Sequence, residues 1–235
     1  KLDLFRRDFT INTLAISLNP AQFGKLIDFF GGQRDIKEKA IRILHNLSFV
    51  EDPTRVFRAI KFEQRFGFTI GKLTSGLIEN AVRMDFFKRL SGRRVFSELC
   101  QILKEDTPLP ALSRLNDYDL LKVIDPTIEF NQSLENRFNA ARKAISWFDL
   151  LYTEEHYMRW AVYFLILIRH TDEDTATRIC QHFELGPRYQ KLFVKDRLAA
   201  EALTGRWHRR PPESNSQLYH RLSEFRMELV LYMMA

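Results

Sequence analysis

Beyond residue 50, apolar residues recur at the three- and four-residue spacing that is typical of α-helices. Val56, Ala59, Ile60 and Phe66 form one such stripe, and Gly67 follows it as a natural helix end. The same periodicity continues along the chain and predicts a mainly α protein. Further helices are predicted at roughly 73–82, 90–103, 134–152, 156–170, 172–184, 187–206 and 214–234.

Convincing β character is confined to the first 50 residues. Leu26–Phe30 has the composition of a short strand that ends at Gly31-Gly32, and Ala40–Leu44 alternates as a second strand would. The apolar positions between residues 6 and 18 predict a helix that continues into an extended piece. We therefore expect a small α+β start followed by an extended helical body.

Composition excludes several classes of protein. Hydrophobic residues make up 45% of the 235 positions and 20 of them are Phe, which indicates a substantial core and excludes global disorder. The longest apolar run, Trp160–Ile168, is far shorter than the roughly 20 residues of a bilayer span, so it predicts a buried helix. Cys100 and Cys180 form neither a CxxC pair nor a disulfide framework, so a reducing, cytoplasmic location is expected.

The net charge of +6 is unevenly distributed. Residues 1–105 contain 19 Lys and Arg against 12 Asp and Glu, whereas residues 106–235 contain 17 against 18. The excess positive charge therefore lies in the first half of the chain. It favours a phosphate-bearing partner, either a nucleotide or a nucleic acid, and the alternative is a solvated basic surface.

The first candidate site is RRDFTIN, at residues 6–12. Arginine suits bidentate phosphate contacts, a helix N-terminus there would attract the same anion, and Asp8 could accept from a ribose hydroxyl. Taken alone, a surface Arg pair with Asp8 as the helix cap is the stronger interpretation.

A second candidate is DFFGGQRD, at residues 28–35, where a strand ends in a double glycine before a new helix. The glycines permit positive φ and close backbone approach, as a hinge or a nucleotide-facing turn would require. An ordinary turn explains the same residues.

The third candidate is EDPTRVFRAIKF, at residues 51–62. Pro53 suits a first helical turn, and the acidic pair before it suits the positive end of the helix dipole. Asp52 and Arg55 are three residues apart and share a helix face, so together they could recognise the hydrogen-bonding edge of a base. A capped helix with surface ion pairs is the alternative.

In this order and at these distances, the three motifs resemble the class II tRNA nucleotidyltransferase and bacterial poly(A) polymerase family. The resemblance is strong over residues 5–70 and continues more weakly through RLSGRRVFSEL, at residues 89–99, which is similar to the family's neck helix. It implies an enzyme that adds CCA, or only the terminal A, to tRNA 3′ ends, or that adds A-tails to RNA. The implied domains are the C-terminal part of an α+β nucleotidyltransferase head (1–48), a base-recognising neck (49–107) and a helical RNA-binding body (108–235).

The resemblance also implies roles for individual residues. Arg7 and Asp8 would hold the ribose and triphosphate of ATP, or also of CTP. Asp52 and Arg55 would hydrogen-bond the incoming base, so that no nucleic acid template is needed, and Glu51 would orient Arg55. The full set expected to contact the nucleotide is Arg7, Asp8, Asn12, Glu51, Asp52, Arg55 and Arg58. The set expected to contact RNA, foremost the tRNA acceptor end, is Lys61, Arg89, Arg93 and Arg94.

One departure from the family pattern concerns the metal. The family's transfer reaction uses two Mg²⁺ ions held by a DxD pattern after a Gly-Ser strand. The Asp-x-Asp patterns here, at 117–119 and 172–174, follow no such strand and are predicted to be helix starts. We therefore expect no metal ligand in this chain, with the catalytic carboxylates in a missing N-terminal segment of the same polypeptide, and we expect the chain alone to be inactive.

Two weaker candidates remain. His170 has no partner at metal-ligand spacing, so a capping or surface role is the preferred interpretation. The stretch Arg206–Arg210 is predicted to be a basic loop whose Trp207 could stack on a nucleotide, although a solvated loop fits better.

Several functions stay open at this stage. The EDxxR stretch does not separate CCA addition, A addition and poly(A) tailing, although Leu44–Val50 departs from typical CCA enzymes and favours an enzyme that adds only A. The alternative from another class is a non-catalytic, helical RNA-binding module.

Overall fold

The computed structural model describes residues 2–210 and 214–235, which form two compact units. The first unit comprises the described residues up to Leu90 together with Arg114–Leu120. The second comprises Ser91–Ser113 and the described residues from Leu121 onwards. Helices dominate both units, and the predicted mainly α fold with little strand is confirmed. The three-domain division at residues 48 and 107 stays a prediction.

In the first unit, the helix predicted around Pro53 begins only at Arg55, so Asp52, which is extended, does not share a helix face with Arg55 as predicted. It buries Val56, Phe57 and Ile60 on one face, and Gly67 ends it with a φ of 62°. The left-handed conformation there suits glycine, which has no Cβ to clash. The α-helices of this unit are Leu2–Phe5, Gly32–Lys37, Ser48–Glu51, Arg55–Phe66 and Lys72–Arg83, with the last residues of Leu109–Asp117. Its 3₁₀ turns are Thr10–Asn12, Pro20–Gln22 and Phe86–Arg89.

The first unit contains two short strand pairs. Ala15–Ile16 pairs antiparallel with Leu26–Ile27, and Ala40–Ile41 pairs in parallel with Thr69–Ile70. The strands predicted at 26–30 and 40–44 are present, but each is two residues long. The parallel partner at residues 69–70 was not predicted.

The helix predicted after residue 6 is wrong. Phe9 is extended, with φ −127° and ψ 151°, and only the 3₁₀ turn Thr10–Asn12 follows it. Phe9 forms a β-bridge with Ile43 and is fully buried, and its N–H is taken by Asp8 Oδ1 at 2.9 Å. This local hydrogen bond and the tertiary pairing compete successfully with a helix.

The second unit is helical around an aromatic core. Phe96 lies 5.2 Å from Phe164 and 5.1 Å from Phe183 between ring centroids, and Phe164 lies 4.8 Å from Phe193. The predicted buried helix at Trp160–Ile168 is confirmed, since residues 161–168 are all buried. The helices are Gly92–Leu103, the first residues of Leu109–Asp117, Leu121–Ile124, Gln132–Asp149, Arg159–Leu167, Glu173–His182, Pro187–Gln190, Arg197–Arg209, Asn215–Leu222 and Met227–Met233, with a π-helical segment at Lys191–Asp196.

Two predicted elements of this unit differ from the structure. The helix Arg197–Arg209 includes most of the basic stretch at 206–210, so that stretch is not a loop, and Pro211–Glu213 lies outside the described residues. The single helix predicted over 214–234 is two helices. The first begins at Asn215, and the Oγ of the preceding Ser214 caps it by accepting from Gln217 N at 3.2 Å. Of the helices that the structure describes, none is long and apolar enough to cross a membrane.

Candidate functional site

A cavity of about 530 Å³ opens in the first unit, lined by residues from three separate segments of the chain. One segment supplies residues 3–12, the second supplies Asp52 and the third supplies the first turns of the helix Arg55–Phe66. The structure brings six of the seven predicted nucleotide-contacting residues to this cavity, and the seventh, Glu51, touches one of them. The lining residues are Asp3, Arg6, Arg7, Asp8, Asn12, Asp52, Arg55 and Arg58.

Asp8 is the most buried carboxylate of the cavity, with 3% of its surface exposed. Its Oδ1 accepts from Asn12 Nδ2 at 2.8 Å, and its Oδ2 lies 2.6 Å from Arg58 Nη2. Oδ2 is buried and is paired with Arg58 by charge, and it accepts no hydrogen bond within the described residues. Asp8 is therefore a fixed, ionic acceptor at the wall of the cavity.

Arg55 is held in place from two directions. Its Nη1 donates to Ser48 Oγ at 2.8 Å, and its Nη2 donates to the backbone carbonyl of Arg6 at 3.2 Å. The Glu51 carboxylate, four residues before Arg55 in sequence, lies 3.6 Å from Nη1 and 3.5 Å from His45 Nε2. These contacts fix a guanidinium whose side chain is only 11% exposed. The contact that was predicted between Glu51 and Arg55 is present.

Asp52 shapes the start of the same helix. Its Oδ1 accepts from the N–H and the hydroxyl of Thr54, at 3.0 and 2.6 Å, just before the helix begins at Arg55. Such an Asx turn orients the carboxylate relative to the helix axis. The cavity thus presents carboxylate acceptors and guanidinium donors together, as base and ribose recognition require.

The double glycine turn is a structural support next to the site. Gly31 has a φ of 80°, and a Cβ on Gly32 would lie 2.6 Å from the carbonyl oxygen of Thr10. The carboxylate of Asp28 accepts from the N–H groups of residues 30–33, between 2.8 and 3.2 Å. Partial burial raises the pKa of Asp28. The four N–H donors together lower the pKa by more than burial raises it, so the net pKa lies below its usual value. The hinge and nucleotide-facing roles of this turn stay predictions.

Electrostatics favour an anion in this cavity. Four arginines line it against three aspartates, and one of those arginines, Arg7, donates to the backbone carbonyl of Asn12 at 3.2 Å. The helix dipole invoked for residues 6–12 is absent, because the 3₁₀ turn there is three residues long. The attraction for phosphate therefore comes from the guanidinium groups.

Sequence reasoning missed some residues of the site. Ser48, the oxygen acceptor of Arg55, carries no sequence signal, since a single serine before a helix has many roles. Asp3 and Arg6 line the cavity as well, and Arg6 acts on Arg55 through its backbone carbonyl. Arg6 is part of the RRD motif, so the motif itself indicated it. For Asp3 the available signal was an acidic residue four positions before Arg7.

The residues predicted to contact RNA lie outside this cavity. Lys61 packs over the Phe62 ring, 5.2 Å from its centroid, and Arg89 is exposed in the first unit. Arg93 and Arg94 are exposed in the second unit, where Arg93 forms an ion pair with Glu184 at 2.9 Å. Their role in RNA binding stays a prediction.

A metal site does not form in the part of the chain that the structure describes: no group of three or more His, Cys, Asp or Glu side chains is arranged to hold an ion. Asp172 caps a helix by accepting from Thr175 N at 2.8 Å, as predicted. The pair Asp117 and Asp119 lies at the end of a helix and not at its start. These residues do not fit a two-magnesium centre, and the position of its ligands upstream of residue 1 stays a prediction.

Comparison with known proteins places the chain among related sequences. Residues 1–42 match the family described as the poly A polymerase head domain, and residues 67–131 match the one described as the probable RNA and SrmB-binding site of polymerase A. The chain is 44% identical to an A-adding tRNA nucleotidyltransferase of Geobacter sulfurreducens over 239 residues, which cover all of this chain and 27% of that protein. The chain belongs to the tRNA nucleotidyltransferase and poly(A) polymerase family.

Solved structures of this family share the fold. A CCA-adding enzyme in complex with ATP is 35% identical with a TM-score of 0.81, and covers 99% of this chain and 55% of its own. The Thermotoga maritima CCA-adding enzyme in complex with tRNA_CCA is also 35% identical, with a TM-score of 0.81, and covers 100% of this chain and 56% of its own. The chain therefore spans about half of each solved enzyme and about a quarter of the curated relative.

Proposed function

We propose that the protein to which this chain belongs adds a single adenosine to the 3′ end of tRNA, with ATP as donor and pyrophosphate as leaving group. The observation that carries the proposal is the cavity that joins Arg7 and Asp8 with Asp52 and Arg55. Those two pairs lie more than 40 residues apart in sequence, yet together they offer donors and acceptors for a triphosphate, a ribose and a base. The A-adding activity of the Geobacter relative supports the choice of a single adenosine.

In this proposal the protein replaces a template. Asp52 accepts from, and Arg55 donates to, the hydrogen-bonding edge of the incoming base, and Glu51 and Ser48 keep Arg55 at a fixed angle. Arg7, Asp8 and Asn12 hold the ribose and the triphosphate. The positive residues Arg58, Lys61, Arg89, Arg93 and Arg94 add attraction for phosphates of the nucleotide and of the tRNA acceptor end.

Further elements of the proposal concern the metal and the compartment. Mg²⁺ would supply charge stabilisation for the transfer, and the proposal assigns its ligands to residues outside the described part of the chain. A cytoplasmic location is proposed because Cys100 and Cys180 are both free thiols, which is typical of proteins in a reducing compartment.

The decisive experiment uses the full-length gene product with two tRNA substrates, one that ends in CC and one that lacks the last three nucleotides. We expect one A on the first and no CTP incorporation into the second. CTP incorporation would favour the second candidate, a CCA-adding enzyme, which the similarity to CCA-adding structures supports. A long ladder of A would indicate a poly(A) polymerase, and no incorporation would favour a non-catalytic RNA-binding module.

Side-chain selection is tested with Arg55→Ala in the same protein. The ratio of ATP to CTP incorporation should fall, because the base loses its donor. Arg65→Ala lies on the same helix outside the cavity and serves as the matched control. Equal ratios in the two variants would contradict base reading by Arg55.

A further inference from the structure

A second cavity, of about 490 Å³, lies within the second unit. It is lined by the start of the helix Gln132–Asp149, by the segment before it, and by the end of the segment 166–170. We call it the Arg137 groove, after a lining residue on that helix. The lining residues that matter for its chemistry are Asn131, Ser133, Arg137, Arg169 and His170, with Glu129 as the acidic member.

Two guanidinium groups lie in this groove without a carboxylate partner. Within residues 2–210 and 214–235, neither Arg137 nor Arg169 forms an ion pair, and Arg169 Nη1 is buried with no hydrogen-bond partner. The nearby acid, Glu201, is already engaged by Arg197 at 2.9 Å and by the Tyr232 hydroxyl. The Arg169 guanidinium lies over the Tyr232 ring, 5.0 Å from its centroid, and the ring offsets part of its charge. A bound anion would neutralise the remaining repulsion between the two guanidinium groups.

The titration of Arg137 agrees with that arrangement. Burial lowers the pKa of Arg137, and the positive charge of Arg169 lowers it further, while Tyr232 and Glu201 act in the opposite direction. The net pKa lies below the usual value of arginine. A bound anion would reverse both unfavourable effects.

The first helical turn supplies additional donors. The Asn131 side chain caps the helix by accepting from Leu134 N at 3.0 Å. The other N–H groups of the first helical turn have no intrahelical acceptor, as at the start of every helix. This helix is 18 residues long, so its N-terminus carries the full partial positive charge of a helix dipole. The Ser133 hydroxyl lies in the same turn and lines the groove.

The opposite wall is held rigidly. Arg197 is fully buried and donates to the backbone carbonyls of Arg169 and Thr171, at 3.3 and 2.8 Å. His170 lies between them, and its Nε2 is 3.0 Å from Thr127 Oγ1 across the groove. The backbone that carries Arg169 is therefore fixed before a ligand binds.

We propose that the Arg137 groove binds a phosphate group of the RNA backbone, an inference that rests on the proposed function. Guanidinium groups, a serine hydroxyl and a helix N-terminus are the donors that phosphates receive in proteins. Among the described lining residues the one aromatic ring is that of His170, which is already bonded to Thr127 Oγ1, and this favours a backbone phosphate over a stacked free nucleotide. Glu129 also lines the groove, and its exposed carboxylate would repel a phosphate. We therefore place the phosphate next to Arg137 and Arg169.

The test compares Arg137→Gln with Arg142→Gln in the full-length gene product. Arg142 is exposed on the same helix and does not line the groove, so the two variants lose the same charge from one element. Binding of tRNA that ends in CC is measured between about 50 and 200 mM salt. Arg137→Gln should weaken binding about fivefold to tenfold and reduce the salt slope by about one, and Arg142→Gln should change neither by more than about twofold.

Ser133→Asp guards against a folding artefact. A carboxylate in the first helical turn stabilises the helix dipole, so this variant should unfold at the wild-type temperature or above it. In the groove the same carboxylate repels phosphate, so tRNA binding should weaken as in Arg137→Gln. Wild-type tRNA affinity in Ser133→Asp, or equal affinities in Arg137→Gln and Arg142→Gln, would overturn the proposal.

A titration with pyrophosphate separates the two sources of phosphate. Suppose that the wild-type protein binds pyrophosphate, and that Arg137→Gln abolishes this binding but leaves tRNA affinity unchanged. This result would assign the groove to a free phosphate ligand and overturn the RNA assignment. Failure of the proposed function has a different signature, since the wild-type protein would then add no nucleotide to either tRNA. A loss of tRNA binding in Arg137→Gln would support the groove even in that case.

Discussion

The Asp8 carboxylate and the Arg58 guanidinium lie 2.6 Å apart, between Oδ2 and Nη2, at the wall of the first cavity. Asp8 is buried, whereas 35% of the Arg58 side chain is exposed. The pair therefore keeps a negative acceptor in the wall and partly neutralises the nearest cation. Arg58 can help to attract phosphate only with the remainder of its charge, and the same holds for Arg7, whose Nη2 lies 3.5 Å from Asp3 Oδ2.

Asp8→Asn tests the role of this carboxylate in sugar selection. The variant keeps one oxygen for the Phe9 and Asn12 donors, so the loop should stay folded. It removes the ionic acceptor proposed for the ribose hydroxyl, and a charge-assisted hydrogen bond is worth about 1.5–3 kcal/mol. The preference of the full-length protein for ATP over dATP should fall about tenfold. Glu79→Gln, at an exposed position of the helix Lys72–Arg83 outside the cavity, should keep the wild-type preference.

Ser48→Ala tests whether the serine positions Arg55. The hydroxyl accepts from Arg55 Nη1 at 2.8 Å, and its loss leaves the guanidinium with fewer anchors. We expect ATP incorporation to fall about threefold to tenfold and discrimination against CTP to fall with it. In the Arg55→Ala background, the added Ser48→Ala should have little further effect, because the two residues act as one unit. Additive losses in the double variant would show that Ser48 acts by another route.

Gly32→Ala and Gly76→Ala form a matched pair for backbone packing. A Cβ at Gly32 would lie 2.6 Å from the Thr10 carbonyl oxygen, so we expect the free energy of unfolding to fall by about 1–3 kcal/mol. Gly76 lies in the helix Lys72–Arg83 with open space around it, so alanine there should raise stability by about 0.5–1 kcal/mol. Chemical denaturation measures both, and a destabilised Gly76→Ala would contradict the helix assignment.

The fold was predictable wherever local signals decide it. The helix Arg55–Phe66 follows from its apolar stripe and from Gly67, both of which act within a few residues. Phe9 was assigned to a helix because the same local reasoning cannot detect its bridge to Ile43, 34 residues away. The strand at Thr69–Ile70 was missed for the same reason, since its partner at Ala40–Ile41 lies in another part of the sequence.

The candidate site was predictable through its side-chain types. Arginine and aspartate pairs at motif spacing indicated Arg55 and Asp8, which the structure brings to one cavity. Ser48 was missed because it contributes through a hydroxyl with no distinctive pattern. Arg137 and Arg169 were missed because their relation is purely spatial, 32 residues apart along the chain.

The two cysteines should be unreactive in the folded protein. Burial raises the pKa of Cys100 to about 12 and that of Cys180 to about 11, and both exceed the ordinary value of a thiol. The thiolate is the reactive form, so neither residue should be modified by a disulfide reagent at pH 8 in the native state. Both should react in denaturant. Rapid labelling of either thiol without unfolding would show that the helices Gly92–Leu103 or Glu173–His182 open locally.

Asp28 gives the chain a dependence of stability on pH at its glycine turn. Its folded pKa is depressed, so the carboxylate stabilises the fold above the unfolded pKa of about 3.9 and loses that effect as the pH falls through the folded value. Asp28→Asn has no charge, and its amide nitrogen cannot accept from Gln33 N, so we expect a loss of about 1 kcal/mol at pH 7. The difference from wild type should persist at pH 5 and shrink below pH 4, in denaturation curves measured at each pH. Glu154→Gln, at an exposed position, is the control. If the stability difference between Asp28→Asn and wild type stays constant down to pH 2, the effect comes from the shape of the side chain and not from its charge.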